Sequence, residues 1–180
     1  TKELLIATNG YKETRREIEY GAWLAGSMRI KVTLLGVTEE LNPAAIDDHH
    51  PLEDIFERAV SLFKDMGVDY SLEVKNGEAE QVIPDKANQE NFITVVGPLG
   101  RPPLKRWLTG RSIRPLMERI ASPILYVPLT RLPIKKMLVS IGGLGYAVTA
   151  ENLAFQVATA TRADVSILHV VPPSDLDYPS

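Results

Sequence analysis

The sequence predicts an α/β protein: an open, doubly wound, mainly parallel five-stranded sheet with helices on both faces, followed by an extra β-α-β unit. Three observations lead there. Apolar runs too continuous for half-exposed strands alternate with helical periods through residues 1–128. One of those runs, Phe92–Val96, empties into glycine ahead of a further helical pattern. A block near the C-terminus repeats the opening strand, helix and strand at a constant offset.

Leu4, Leu5, Ile6 and Ala7 read as a strand covered on both faces, stopped by Thr8-Asn9-Gly10. Residues 12–27 turn helical, with Ile18, Ala22 and Ala25 on one side and Arg15, Arg16 and Glu19 largely on the other. Gly26 is the expected exit from that helix. Residues 30–37, rich in Val, Thr and Leu, form the next strand, so the order implies a right-handed parallel βαβ unit. A polar connection over 39–50 carries Pro43 and the cluster Asp47-Asp48-His49-His50. Two carboxylates beside two imidazoles are candidate ligands for a divalent cation, but adjacent residues seldom converge on one ion. A solvated loop is therefore the expectation, and no metal site is assigned.

Pro51 suits a helix start, and Leu52, Ile55, Phe56, Ala59, Val60, Phe63 and Met66 then recur at three and four residues until Gly67. Its aromatics are expected in the core. Residues 68–74 alternate as a strand, Asn76-Gly77 makes a turn, and 78–88 read as a helix whose Glu78 and Glu80 suit its positive end. Pro84 is expected to kink or shorten that helix. After Phe92–Val96, a helix over 113–121 tolerates Pro115 only in its first turn. Pro123 and Pro128 bracket the last strand, residues 124–127 (Ile124, Leu125, Tyr126, Val127), which places it at a sheet edge.

With 180 residues, 44% hydrophobic and 24% charged, the chain can bury a sizeable core. A net charge of −3 argues against a nucleic-acid or membrane partner, since both need a broad basic surface. Any anion site must be local. The absence of cysteine excludes a disulfide framework, a thiol nucleophile and a zinc-thiolate site, and fits a cytoplasmic setting. No apolar run reaches the roughly 18 residues that span a bilayer, and no signal-peptide pattern opens the chain.

The stretch Val95-Val96-Gly97-Pro98-Leu99-Gly100, continuing to Gly110-Arg111-Ser112, is the strongest candidate for chemistry. Glycines after a strand let bare N–H groups approach a ligand, and a following helix N-terminus adds partial positive charge. A phosphate or another anion fits that combination; an ordinary βα turn fits it too. Arg101, Lys105, Arg106, Arg111 and Arg114, interrupted by Trp107, read either as an anion funnel or as a solvated rim.

Adding 133 lays Glu3 to Gly10 (ELLIATNG) on Lys136 to Gly143 (KMLVSIGG) and residues 32–37 on residues 165–170. The expected organisation is a complete domain over 1–128, a linker over 129–135, the front half of a second domain over 136–172 and a tail over 173–180. A lone βαβ unit cannot bury both faces of its strands, so either further chain or another surface is expected to cover it. His169, at an apolar strand end, is expected to be a packed, hydrogen-bonded imidazole.

At the glycine loop the sequence resembles the universal stress protein family, whose nucleotide-binding members carry Gly, two residues, Gly, nine residues, then Gly followed by Ser or Thr. Gly97, Gly100 and Gly110 match that spacing, whereas Arg111 stands at the next position and Ser112 one place late. VKNGEAE (74–80), ASPILYVP (121–128) and ILHVV (167–171) extend the resemblance over most of the chain.

The resemblance implies a Rossmann-like, adenine nucleotide alpha hydrolase-like fold with strand order 3-2-1-4-5 and pairing of two copies through the edge strand 124–127. It implies a tandem protein of the stress response binding ATP or AMP, with or without Mg. Ala7, Thr8 and Asn9 would meet the nucleotide at the first strand's end, Val37 the adenine, and Gly97, Gly100, Gly110 and Ser112 the phosphates, aided by Arg101 and Arg111. Asn9 stands where relatives usually carry Asp; its amide is neutral and brings donors as well as an acceptor. The second repeat has Gly142-Gly143 there and is expected to hold no nucleotide.

No organised nucleophile and base, and no Walker lysine-serine pair, is legible. A nucleotide-dependent switch or interaction module is thus preferred over a relative acting through dimerisation and partner binding, and both over a nucleotide hydrolase or transferase.

Overall fold

The continuous apolar run at the start of the chain becomes the middle of a parallel sheet. In the computed structural model, which describes residues 2–10, 14–38, 52–89, 91–98, 113–129, 131–141 and 148–169, this run is β1 (Glu3–Thr8). It lies between β2 (Val32–Thr38) and β4 (Phe92–Val96), with β3 (Tyr70–Asn76) and β5 (Ile124–Tyr126) outside them. The order is β3-β2-β1-β4-β5, all parallel, as expected from the family resemblance. A strand covered on both faces is apolar at nearly every position, as β1 is over Leu4–Ala7 and β4 is except at the buried Thr94.

The chain divides into two compact units, residues 1–132 and 133–180. In the first, α1 (Arg15–Met28) and α2 (Leu52–Asp65) contact each other, and so do α3 (Ala79–Ala87) and α4 (Arg114–Met117), one pair on each sheet face. The α3/α4 face is a cluster of Leu5, Ala7, Leu35, Val37, Phe92 and Val96 under Ala79, Ile83, Leu116 and Ile120. On the other face, a Cβ on Gly36 would stand 2.8 Å from Phe56 Cζ, so glycine lets α2 settle on β2. Phe63 is fully buried, which makes the α2 aromatics core residues as expected.

Three local readings change. The chain leaves α1 at Arg29, in the left-handed region with φ 54°, and not at Gly26. Gly26 remains helical and gives room instead: a Cβ there would meet the Met66 carbonyl at 3.3 Å. Pro84 neither stops nor shortens α3, which runs on to Ala87. The proline leaves the Glu80 carbonyl without its intrahelical donor, and Arg119 Nη1 donates to it at 2.5 Å.

The helix expected over 113–121 is one turn, α4, after which the Arg119 and Ile120 amides reach back three residues, each at 3.2 Å. Asn88 explains the stop. Its amide donates to the Arg119 carbonyl and accepts from the Ala121 N–H, both at 2.9 Å, so a side chain takes peptide groups a longer helix would use.

The second unit is β6 (Lys136–Ile141), α5 (Val148–Thr161) and β7 (Asp164–His169). Adding 133 to the bounds of β1 and α1 gives those of β6 and α5. It also carries Arg29 onto Arg162, the other non-glycine residue at positive φ among the described residues, at 55°. Sheet partners stand 28 residues apart in both units: Leu4 with Val32, Met137 with Val165. Val139, Leu153, Val157 and Ala158 are buried in this unit. His169 accepts or donates through Nδ1 at the Ile141 carbonyl, 3.0 Å away, but is exposed rather than packed. It ends β7, one of the two strands of this unit's sheet.

Candidate functional site

In an open sheet of this order, the winding reverses between β1 and β4, and the connections leaving their C-terminal ends pass to opposite faces. The gap between them is where a ligand finds backbone N–H groups without displacing a packed helix. Thr8, Asn9 and Gly10 stand at one lip and Gly97 and Pro98 at the other, with Val37 at the end of the adjoining β2.

The lip is ordered by hydroxyls. Thr8 and Thr14, both fully buried, share a hydrogen bond between their Oγ1 atoms at 2.6 Å. The Gly10 amide donates to Thr8 Oγ1 at 3.3 Å, which closes the turn after β1 upon itself. Thr14 occupies the position before α1 and makes no side-chain cap, because its hydroxyl is directed to the strand end. The helix start is thereby fastened to the strand it follows.

Asn9 is almost fully buried, so its amide is enclosed at this edge rather than displayed to solvent. Against Gly97 lies a group the sequence reading passed over. Glu17, in the first turn of α1, is fully buried, and a Cβ on Gly97 would come within 2.6 Å of its Oε1. Gly97 is therefore small because of this contact and not because of a positive φ. The carboxylate occupies the volume any side chain there would need. The helical reading could have found it, since position 17 lies one residue before Ile18 on the inward side of α1; its charge disguised it.

Of the residues expected at the site, Ala7, Thr8, Asn9, Val37 and Gly97 stand at the C-terminal ends of β1, β2 and β4. Gly100, Arg101, Gly110, Arg111 and Ser112 lie outside the described residues, as do Trp107, Gly142, Gly143 and the cluster Asp47-Asp48-His49-His50. Among the described residues no group of three His, Asp or Glu side chains could hold a metal ion. No helix among them is long and apolar enough to cross a membrane.

No family model matches the chain, and no curated protein matches its sequence. Its fold does match solved structures. A universal stress protein from Archaeoglobus fulgidus DSM 4304 superposes with a TM-score of 0.67 at 18% identity, over 97% of this chain and 68% of its own. A Pseudomonas aeruginosa UCBPP-PA14 protein described as a universal stress protein does so with a TM-score of 0.61 at 14% identity, over 95% of this chain and 62% of its own. A universal stress protein solved in complex with cAMP gives 0.53 at 16% identity, over 72% of this chain and 98% of its own. At such identities the likeness is one of fold.

Proposed function

We propose that the chain is a universal stress protein whose first unit binds an adenine nucleotide between the ends of β1 and β4, and that it acts as a switch or interaction module in a stress response. The observation that carries this is the crevice itself: Asn9 and Gly97 enclosed at the two lips of the point where the sheet's winding reverses. The glycine spacing from Gly97 through Gly100 to Gly110 and the cAMP complex of a protein with this fold support it. Ala7 and Thr8 would supply backbone at the strand end and Val37 would meet the adenine. Gly100, Gly110 and Ser112 would follow the phosphates, with Arg101 and Arg111 giving charge-assisted contacts and Mg accompanying ATP.

The second unit is proposed as a related repeat, from the shared offset of its element bounds, register and left-handed arginine. Two of the fold matches run across both units. A binding role is proposed rather than a catalytic one, since the described ends of β1 and β4 carry no histidine or lysine to serve as a base.

Calorimetric titration of the chain with AMP and ATP, each with and without magnesium, tests this reading. Saturable binding that Gly100→Trp abolishes is expected; absence of heat at millimolar nucleotide would overturn it. The neutral Asn9 and the buried Glu17 favour a second reading, a relative that has given up nucleotide and works through partners. Under either, two copies are proposed to pair through the open edge of β5, which light scattering would show as a dimer.

A further inference from the structure

We propose that Asn76 is a site of spontaneous covalent modification, deamidation through a cyclic imide, and that Thr38 at the end of β2 is the residue that holds the reaction in check. The chain has two Asn-Gly dipeptides, Asn9-Gly10 and Asn76-Gly77. Glycine has no side chain to keep its nitrogen from the asparagine before it, so both dipeptides share one intrinsic chemistry. The fold separates them. Asn9 is 2% exposed, whereas Asn76, Gly77 and Thr38 all lie in the open. Water can reach Asn76, and ammonia can leave it.

The reaction needs no reagent but water. The Gly77 nitrogen loses its proton to solvent and attacks Asn76 Cγ; an N–C bond forms, the Cγ–Nδ2 bond breaks, and ammonia departs with a proton taken from solvent. Water then opens the imide at either of its two carbonyls, leaving aspartate or isoaspartate. Both reacting groups are restrained by one neighbour. Thr38 and Asn76 are register partners at the last rung of β2 and β3. The Gly77 N–H donates to the Thr38 carbonyl at 3.0 Å, which occupies the nucleophile. The Thr38 hydroxyl donates to Asn76 Oδ1, which fixes the side chain that would be attacked. Pairing also keeps Asn76 in an extended strand, and the ring closes only when that peptide turns out of it. Modification therefore follows opening of this last rung, and strand ends open more readily than strand centres. Isoaspartate adds a carbon to the main chain, so the Gly77 N–H no longer meets the Thr38 carbonyl in register. The product leaves the end of β2 unzipped one residue from Val37.

The test incubates the full chain in mildly alkaline buffer and follows the two Asn-Gly peptides by mass spectrometry. In the folded chain Asn76 is expected to convert faster than Asn9. In urea the two should convert within about twofold of each other, and at least about tenfold faster than Asn76 does in the folded chain. Thr38→Val keeps a β-branched residue at an exposed strand position, so the chain folds, and it removes the hydroxyl alone. Asn76 is expected to convert about fivefold faster in this variant, with Asn9 unchanged. A general loss of stability would speed both. Thr38→Ser retains the hydroxyl and should keep the slow rate. The proposal is overturned if Asn76 converts as fast folded as in urea, if Thr38→Val leaves its rate unchanged or lowers it, or if Asn9 rises in step.

Discussion

Leu5 and Leu138 are related by the same offset as their strands, yet Leu5 is fully buried and Leu138 is 67% exposed. Leu35 and Leu168 repeat the contrast, fully buried against 44% exposed. Both pairs sit on the face that α3 and α4 cover in the first unit. In the second unit, α5 and the inward side of the strands bury Val139, Leu153, Val157 and Ala158, and the opposite face carries Leu138 and Leu168. The contrast teaches that a βαβ sequence encodes two sticky faces but supplies the cover for one. The same local instructions give a core in one place and an apolar surface in the other.

The largest expected effect tests that difference directly. Leu5→Ala should destabilise the first unit by about 3 kcal/mol in urea denaturation, through lost burial and a cavity, while Leu138→Ala costs below about 0.5 kcal/mol. Equal costs would mean that the Leu138 face is covered in solution.

Next comes the pair Gly36 and His169, again related by the offset. Gly36→Ala should cost about 1–2 kcal/mol, because its methyl group would press on Phe56 and Leu52. His169→Ala, which loses an exposed hydrogen bond, should cost below about 0.5 kcal/mol. Arg119 then addresses the cover itself, since it ties the segment after α4 to the Glu80 carbonyl that Pro84 leaves in α3. Arg119→Met should cost about 0.5–1 kcal/mol and speed hydrogen exchange in α3 more than in α5.

Tyr20 gives the smallest effect. It matches the buried Leu153 and stacks at a tilt against Trp23, with ring centroids 5.9 Å apart. Burial raises its phenol above the ordinary 10.0. The unfolded chain therefore loses this proton first. Stability from Tyr20 is intact below pH 10 and declines as pH rises from there toward the folded value, a loss Tyr20→Phe should remove. Ultraviolet titration of the phenol would check the direction.

Legibility followed where the information resided. β4 was readable to the residue because four apolar residues and one threonine end in glycine, and the offset of 133 showed that a second strand, helix and strand would follow. The one-turn α4 was not readable, because Asn88, some thirty residues earlier, ends it. At the site, Asn9 and Gly97 were visible as a strand end and a glycine bend. Glu17 was not, since a carboxylate in a helix of ordinary amphipathicity looks solvent-facing until a neighbouring strand closes over it.

Sequence alone determined the period of each element, the continuous apolarity of the inner strands and the internal repetition. These depend on residues near one another in the chain. Which leucines became core, where α4 stopped and that a carboxylate lies beneath Gly97 were decided by tertiary structure. Each depends on a surface brought in from elsewhere in the chain, and burial is a property of both partners in a contact, not of the residue that bears it.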